Sequence, residues 1–254
     1  MTQWVRRDNT VARVFWSVLL IVGLAGSVHW VMAQVHYRWN WAVLWQYRWQ
    51  FLDGLILTLL ISAAAMVMSV LLGFVLMLGR MSRVVPLRLI SAFFVEVVRG
   101  SPLLVQLLLG YYGVATAMSI ESPLLVGTVL LALFQSAYLA EIFRGAVQSV
   151  GASQWEAARA VGFDEVQAYR FVIVPQALRR VLPAVAGEMV SLVKSSSLLS
   201  VIGVEELVQR VRVMNSANYT ALEGYVPLAL AYLALTLPLS AFARALERRL
   251  SYET

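Results

Sequence analysis

Apolar residues dominate this chain in long unbroken runs rather than in the short alternations of a soluble fold. Residues 14–37, 54–79, 100–120, 122–140 and 224–243 contain no Asp, Glu, Lys or Arg. A sixth run, 181–204, is interrupted only by Glu188 and Lys194. A helix needs about 20 mostly apolar residues to cross the hydrocarbon of a bilayer. The pattern therefore predicts six transmembrane helices and an all-α integral membrane protein. The third and fourth runs are joined by residues 118–123, a stretch short enough for a tight hairpin tip.

Basic residues assign the connecting loops to two sides. Arg6, Arg7, Arg13, Arg80, Arg83, Arg88, Arg144, Arg159, Arg170, Arg179, Arg180, Arg244, Arg248 and Arg249 fall in one alternating set, fourteen in all. Arg38, Arg48, Arg210 and Arg212 fall in the other, four in all. Cytoplasmic loops carry the excess of Lys and Arg, so both termini are expected in the cytoplasm. Trp30, Trp39, Trp41, Trp45 and Trp49 crowd the first outer segment, as an interfacial aromatic belt would. The start also resembles a secretory signal ending at Val31-Met-Ala33. Its apolar run exceeds the 7–15 residues of a signal core, so a retained span is expected.

Composition agrees. Of 254 residues, 60% are hydrophobic and 13% charged, against about 25% charged in soluble domains. Cys is absent, which removes disulfides, thiol nucleophiles and Cys-ligated metal. The net charge of +6 reads as membrane orientation, not as a nucleic-acid surface. A phosphate-cradling loop ends in Gly-Lys-Ser/Thr, and the single lysine, Lys194, follows Leu192-Val193. ATP therefore has no site of that kind here. His29 and His36, seven residues apart, could share a helix face; interfacial side chains are the simpler reading, and no metal site is expected. No Gly-x-Ser-x-Gly accompanies them, so a hydrolase is not expected either.

The longest inner segment, 144–180, is rich in helix signals. Ser153 to Glu156 has the spacing of a capping box. Gly162 supplies a left-handed stop. Asp164 to Gln167 is a second start signal, opening a helix expected to end at Pro175. Inside the membrane, ionisable residues are functional candidates by default. Glu96 and Arg99 are three apart and are expected to pair on one helix face. Glu141 ends the fourth run and is expected near the inner face, anchoring the loop. Glu188 has two open readings: a carboxylate facing a solute's ammonium, or a hydrogen-bond partner for a neighbouring helix. Ser195, Ser196 and Ser197 can bond backbone or a neighbouring helix, with solute contact as the alternative. The last outer loop places Val204, Leu207, Val208 and Val211 among Glu205, Gln209 and Arg212. That is a short amphipathic helix, lying on the membrane surface or serving as a gate or docking surface.

The order of residues in the inner loop carries a resemblance. Glu156-Ala157-Ala158, three residues, Gly162, nine residues, then Val172-Ile-Val-Pro175 resembles the signature loop of membrane subunits of ABC importers. Ala137 through Gly145, Arg99-Gly-Ser-Pro102, Pro175-Gln-Ala-Leu178 and Lys194-Ser-Ser-Ser-Leu198 resemble segments of the polar amino-acid uptake branch (histidine, glutamine and arginine permeases). The resemblance runs over residues 54–242. Gly151, Ser153, Gly187 and Ser195 depart from that branch's usual Pro, Gly, Asn and Asp.

The resemblance implies a five-helix type I importer core at 53–247, including the coupling loop 144–180, with 1–52 as an extra N-terminal span and outer linker. It implies an inner-membrane permease that is not itself an enzyme. Cytoplasmic ATP-binding cassette subunits would bind ATP and Mg. A second permease subunit, identical or homologous, would complete the pathway, and an extracytoplasmic solute-binding protein would deliver a polar amino acid or similar amine-bearing solute. Ser153, Glu156, Ala157, Ala158, Arg159, Gly162 and Pro175 are the expected ATPase-coupling residues. Glu188, Lys194, Ser195, Ser196 and Ser197 are the candidate pathway residues. The alternative is a channel or ion-coupled carrier working without an ATPase. Those commonly show repeated halves, and none is evident.

Overall fold

The computed structural model describes residues 10–34 and 39–250, all helical or connecting. Two compact units emerge, residues 1–40 and 41–254. The first unit contains α1, Thr10–Gln34. The 25 residues of α1 include the apolar stretch Val14–Ser27. The side chains of His29 and His36 lie outside the described residues.

The second unit is a helical bundle. It contains α2 (Ala42–Gln46), α3 (Arg48–Met81), α4 (Val85–Gly100) and α5 (Leu103–Ala115). It continues with α6 (Pro123–Gln148), α7 (Ala152–Ala160) and α8 (Glu165–Ile202). It closes with α9 (Leu207–Asn218) and α10 (Leu222–Leu250). Helices α3, α6, α8 and α10 are each long and apolar enough to cross a membrane, and α4 with α5 forms a broken fifth candidate.

Small residues set how closely α3 packs. Its buried stripe is Gly54, Thr58, Ile61, Ser62, Ala65, Ser69, Gly73 and Met77. Without an apolar solvent contrast, helices in lipid associate through close packing and hydrogen bonds between small residues. A Cβ on Gly73 would sit 3.0 Å from both Leu139 Cβ and the Ser136 carbonyl oxygen of α6. The Ser69 hydroxyl donates to the Ala132 carbonyl at 3.1 Å, tying the same pair. The main core gathers Ile61, Ala65, Leu103, Leu107, Leu131, Ala132, Leu192, Leu199 and Ile202 from α3, α5, α6 and α8. Helix α2 and the start of α3 expose Trp41, Trp45 and Trp49. The Arg48 guanidinium lies 4.5 Å from the Trp45 ring centre and 5.5 Å from that of Trp49.

Three expectations change. The third run is not one straight span. Ser101 precedes Pro102, and a residue before proline is pushed out of the α region. Ser101 is extended, with φ −122° and ψ 147°, and α4 meets α5 at 109°. The Gln106 side-chain amide donates to the Val98 carbonyl at 2.7 Å and the Ser101 carbonyl at 3.2 Å, and the Ser101 hydroxyl donates to the Val97 carbonyl at 2.9 Å, so side chains take carbonyls that the break leaves without a helical partner. Pro175 does not end the helix it follows. Residues Tyr169–Ile173 form a wide π turn, and Pro175 sits in the first turn of the α segment beyond it. There its missing N–H costs nothing, and α8 runs on to Ile202. The amphipathic helix α9 does not lie free on a surface. Leu207, Val211 and Met214 are buried, and the Leu207 N–H donates to Thr58 Oγ1 of α3 at 3.2 Å.

Gly54 permits that last approach, because a Cβ there would stand 2.9 Å from Leu207 Cα. Gly54→Leu is expected to destabilise the protein by about 1–3 kcal/mol through overpacking, read as a lower Tm in detergent. Gly113→Leu, where a Cβ meets nothing within 4 Å, should leave Tm near wild type. Equal Tm values for both variants would contradict the close α3–α9 packing.

Candidate functional site: the inner loop, the bundle carboxylates and the outer clasp

Helix α7 has nine residues. Isolated helices this short are marginal in water, so its ends must be fixed. At its C-terminus the Phe163 N–H bonds the Ala158 carbonyl at 3.1 Å, and the Gly162 N–H bonds the Arg159 carbonyl at 3.0 Å. Gly162 has φ +84°. These are the paired bonds of a Schellman stop, which needs a left-handed residue best supplied by glycine. Two residues later Asp164 starts α8 with a full capping box. The Gln167 N–H donates to Asp164 Oδ1 at 2.8 Å, and the Asp164 N–H donates to Gln167 Oε1 at 3.0 Å. The expected Gly162 stop and Asp164 start are both present.

The expected capping box at Ser153 is not formed. Helix α7 starts two residues before the sequence pattern suggested, with Gly151 as its cap residue and no side-chain cap bond. Ser153 and Glu156 therefore sit inside the helix. Extended backbone at Gly151 (ψ 151°) makes the turn by itself, and its carbonyl takes the Gln154 N–H at 3.0 Å.

Helix α7 is pinned to α8 from one side. Trp155 packs edge-on against Tyr169 at 4.8 Å between ring centres. The Gln176 amide donates to Gln154 Oε1 at 3.1 Å, and Arg180 donates to the Ser149 hydroxyl. Ala158 is buried, while Ser153, Glu156, Ala157, Arg159 and Gly162 are exposed. Val161, Val166 and Phe171 add exposed apolar surface around the corner. Pro175 is exposed on the α8 side.

Deeper in the bundle, Glu188 of α8 accepts a hydrogen bond from the Gln135 amide of α6 at 2.6 Å. Lys194 is exposed and meets no acidic partner among the described residues. Ser196 and Ser197 donate to the carbonyls of Val193 and Lys194 within their own helix. Ser195 is half-buried beside them.

The expected Glu96–Arg99 pair is replaced by a cluster around Glu141. Arg80 of α3 reaches Glu141 at 2.6 Å, Arg144 at 2.7 Å and Arg99 of α4 at 3.8 Å. Glu96 is exposed and forms no ion pair among the described residues. The partly buried Glu141 (18% exposed) offers Arg99 a better-shielded carboxylate across the α4–α6 interface than one on its own solvated face. The Arg99 guanidinium also lies 5.4 Å from the Tyr138 ring centre.

At the opposite end of the bundle from α7, Glu206 caps α9. Its carboxylate accepts from the Gln209 N–H and the Val208 N–H, each at 3.0 Å, and from the Tyr232 hydroxyl of α10 at 3.3 Å. Glu206 is fully buried. Sequence reasoning missed Glu206 because Glu is not among the preferred N-cap residues. Gln135 was also missed, although an amide in a run without charges was a visible signal.

With this geometry in view, the comparisons become decisive. Residues 65–252 match the model of the binding-protein-dependent transport system inner membrane component family. The chain belongs to this family of permeases. The permease is 35% identical over 211 residues to a probable glutamine ABC transporter permease protein, GlnM, of Bacillus subtilis, covering 83% of this chain and 98% of that one. It is 32% identical over 200 residues to the arginine transport system permease protein ArtQ of the same organism, covering 78% and 91%. In three dimensions the permease resembles the solved structure of an amino acid ABC transporter with histidines. That match has a TM-score of 0.80 at 37% identity and covers 84% of this chain and all of that one. The permease is thus a translocation subunit of an ATP-driven amino-acid importer in the inner membrane, working with a binding protein.

Burial raises the Glu206 carboxyl from its ordinary 4.5 to about 7, against the opposing pull of its two backbone donors. The folded state therefore favours the protonated acid. Its contribution to α9 docking is complete below about pH 4.5 and is lost as pH rises through about 7. Hydrogen exchange of the α9 amides, corrected for intrinsic rates, should show protection falling as pH rises from about 4.5 to about 7 and levelling off above that. Glu206→Gln should flatten the profile; an unchanged profile would contradict the burial argument.

Proposed function

We propose that this permease carries a polar amino acid, or a similar small amine-bearing solute, and that α7 is the helix through which a cytoplasmic ATPase moves the bundle. The supporting observation is the geometry of α7: both flanks are fixed by backbone motifs, one side is pinned to α8, and the other side is open. Ala157 and the neighbouring Ala160 allow close approach to a partner groove, with Ala158 seated on the protein's own side. Arg159 offers a cation to acidic groups on the ATPase. Glu156 lies on the exposed face as a polar contact, and Ser153 lies one turn before it. Gly162 sets the corner, and Pro175 opens the α segment of the lever α8 just beyond its π turn.

In this reading six helices span the membrane, with α1 as the extra N-terminal crossing, α4–α5 as one broken crossing and the importer core at 53–247. Both termini lie in the cytoplasm, as the fourteen-to-four division of arginines requires. ATP and Mg are held by ATP-binding cassette subunits, so hydrolysis belongs to another chain. A second permease subunit, identical or homologous, completes the pathway. A solute-binding protein docks on the outer side and releases its cargo. Nucleotide binding then shifts the bundle only as far as the ATPase pair prefers one arrangement of α7 over the other. Glu188 is the best-placed carboxylate for an ammonium, since one oxygen accepts from Gln135 and the other faces away from that bond. Lys194, Ser195, Ser196 and Ser197 continue along the same stretch of α8.

Two measurements test the assignments in proteoliposomes of the assembled importer. Gly162→Leu forces a side chain into left-handed backbone, which costs on the order of 1–2 kcal/mol for a non-glycine residue. The expected result is ATP hydrolysis retained and uptake lost; wild-type uptake would remove α7 from the coupling role. Glu188→Gln should weaken uptake at limiting solute by roughly tenfold, the loss of one charge-assisted contact. Unaltered uptake would leave Glu188 as a helix–helix contact only.

A further inference from the structure

The Glu141 cluster is overfilled with cations. Arg80, Arg99 and Arg144 come from three helices and share one carboxylate, so their formal sum is +2 (three guanidinium groups less one carboxylate). Arg80 and Arg144 use the close positions. Arg99 is left at 3.8 Å, beyond hydrogen-bond reach, and its side chain is 44% exposed. Among the described residues no acceptor satisfies its donors, and Glu96, one turn earlier on α4, forms no ion pair with it. The Arg99 guanidinium also lies 5.4 Å from the Tyr138 ring centre, a cation–π contact that leaves its N–H donors free to bind an anion.

The surroundings are open. A Cβ added at Gly100, next to Arg99, or at Gly145, next to Arg144, would meet nothing within 4 Å. Depth is set by α6: from Pro123 at its outer end to Glu141 is about 27 Å at 1.5 Å per residue. A hydrocarbon layer is about 30 Å thick. The cluster thus falls at the inner edge of the acyl region, level with the inner headgroups.

We propose that Arg99, with Arg144 and Arg80 behind it, forms a site for the phosphate of an anionic phospholipid in the inner leaflet. This rests on the reading that the bundle spans a membrane with α7 inside. Arginine binds phosphate through two parallel N–H donors, and basic pockets between spans on the cytoplasmic side suit anionic headgroups. The lipid would neutralise surplus charge that Glu141 leaves unmatched and brace the junction of α3, α4 and α6 close to the first residues of the coupling loop.

The test uses the permease assembled with its ATPase subunits in detergent. Phosphatidylglycerol or phosphatidylcholine is added and bound lipid is counted by native mass spectrometry. The wild-type complex should retain phosphatidylglycerol roughly tenfold better than phosphatidylcholine, and Arg99→Gln should lose that preference by roughly tenfold. Arg99→Lys, which keeps the charge but not the fork, should fall between them. Arg83→Gln, a fully solvated position (90% exposed), should match wild type. The proposal is overturned if Arg99→Gln retains lipid like wild type, or if Arg83→Gln loses as much. It is also overturned if inorganic phosphate or a free amino acid displaces the lipid at equal concentration, since the site would then take a small anion. Should Arg99→Gln fail to assemble, the lipid preference of the wild-type complex and of Arg99→Lys decides. ATP-driven uptake by the wild-type complex reconstituted into proteoliposomes reports separately on the importer reading, so a wild-type complex without lipid selectivity but with intact uptake would sink this site alone.

Discussion

A nine-residue helix is marginal in water, because too few hydrogen bonds repay its nucleation. Helix α7 holds its shape because the chain reverses within four residues. Gly162 and Phe163 close one helix with N–H bonds to the Arg159 and Ala158 carbonyls, and Asp164 opens the next. The corner is therefore made of hydrogen bonds rather than of flexible loop. Anything that displaces α7 must move the start of α8 with it, since Trp155 and Gln154 are held by Tyr169 and Gln176 of α8.

Helix α8 extends that constraint across the molecule. It runs 38 residues from Glu165 to Ile202, about 57 Å at 1.5 Å per residue. Along it lie the Glu188–Gln135 bond to α6 and the core contacts of Leu192 and Leu199. It ends at left-handed Gly203, three residues before Glu206 clasps α9 to α10. One continuous element thus joins the inner corner, the only carboxylate on α8 within the bundle's middle among the described residues, and the outer clasp. Coupling between distant sites needs a physical element with two arrangements. The wide π turn at Tyr169–Ile173 marks a place where such a helix can adjust register without losing its backbone bonds.

The runs that became α3, α6 and α10 were legible because lipid removes the alternatives: an apolar stretch with no water to satisfy its backbone must be helical. Gly162 and Asp164 were legible because both act through local backbone geometry. What failed was whatever depended on a neighbour. Ser153 has the spacing of a cap, but Gly151 already made the turn. Pro175 has the signature of a stop, but a π turn before it absorbed the missing donor. Arg99 has a local partner in Glu96, but Glu141 across the interface won. Glu206 gave little signal because its role is defined by Tyr232, twenty-six residues on. The α4–α5 break was written in Ser101-Pro102, yet an absence of charge through 100–120 hid it.

The arginines of the inner loops were read first as a topological signal, and the structure gives several of them a second task. Arg80 and Arg144 share Glu141, Arg83 meets Glu165 at the start of α8, and Arg180 donates to Ser149. The exposed Arg83 pair contributes little by itself, as solvated ion pairs do. The Glu141 cluster differs because it is shielded and joins three helices, α3, α4 and α6. On the proposed topology, a residue that stays on the cytoplasmic side is already at the depth where the segment leading to α7 begins. Orientation and wiring are then satisfied by the same charges, which explains why the inner end of this bundle is held by ionic contacts while its middle is held by small residues and single hydrogen bonds.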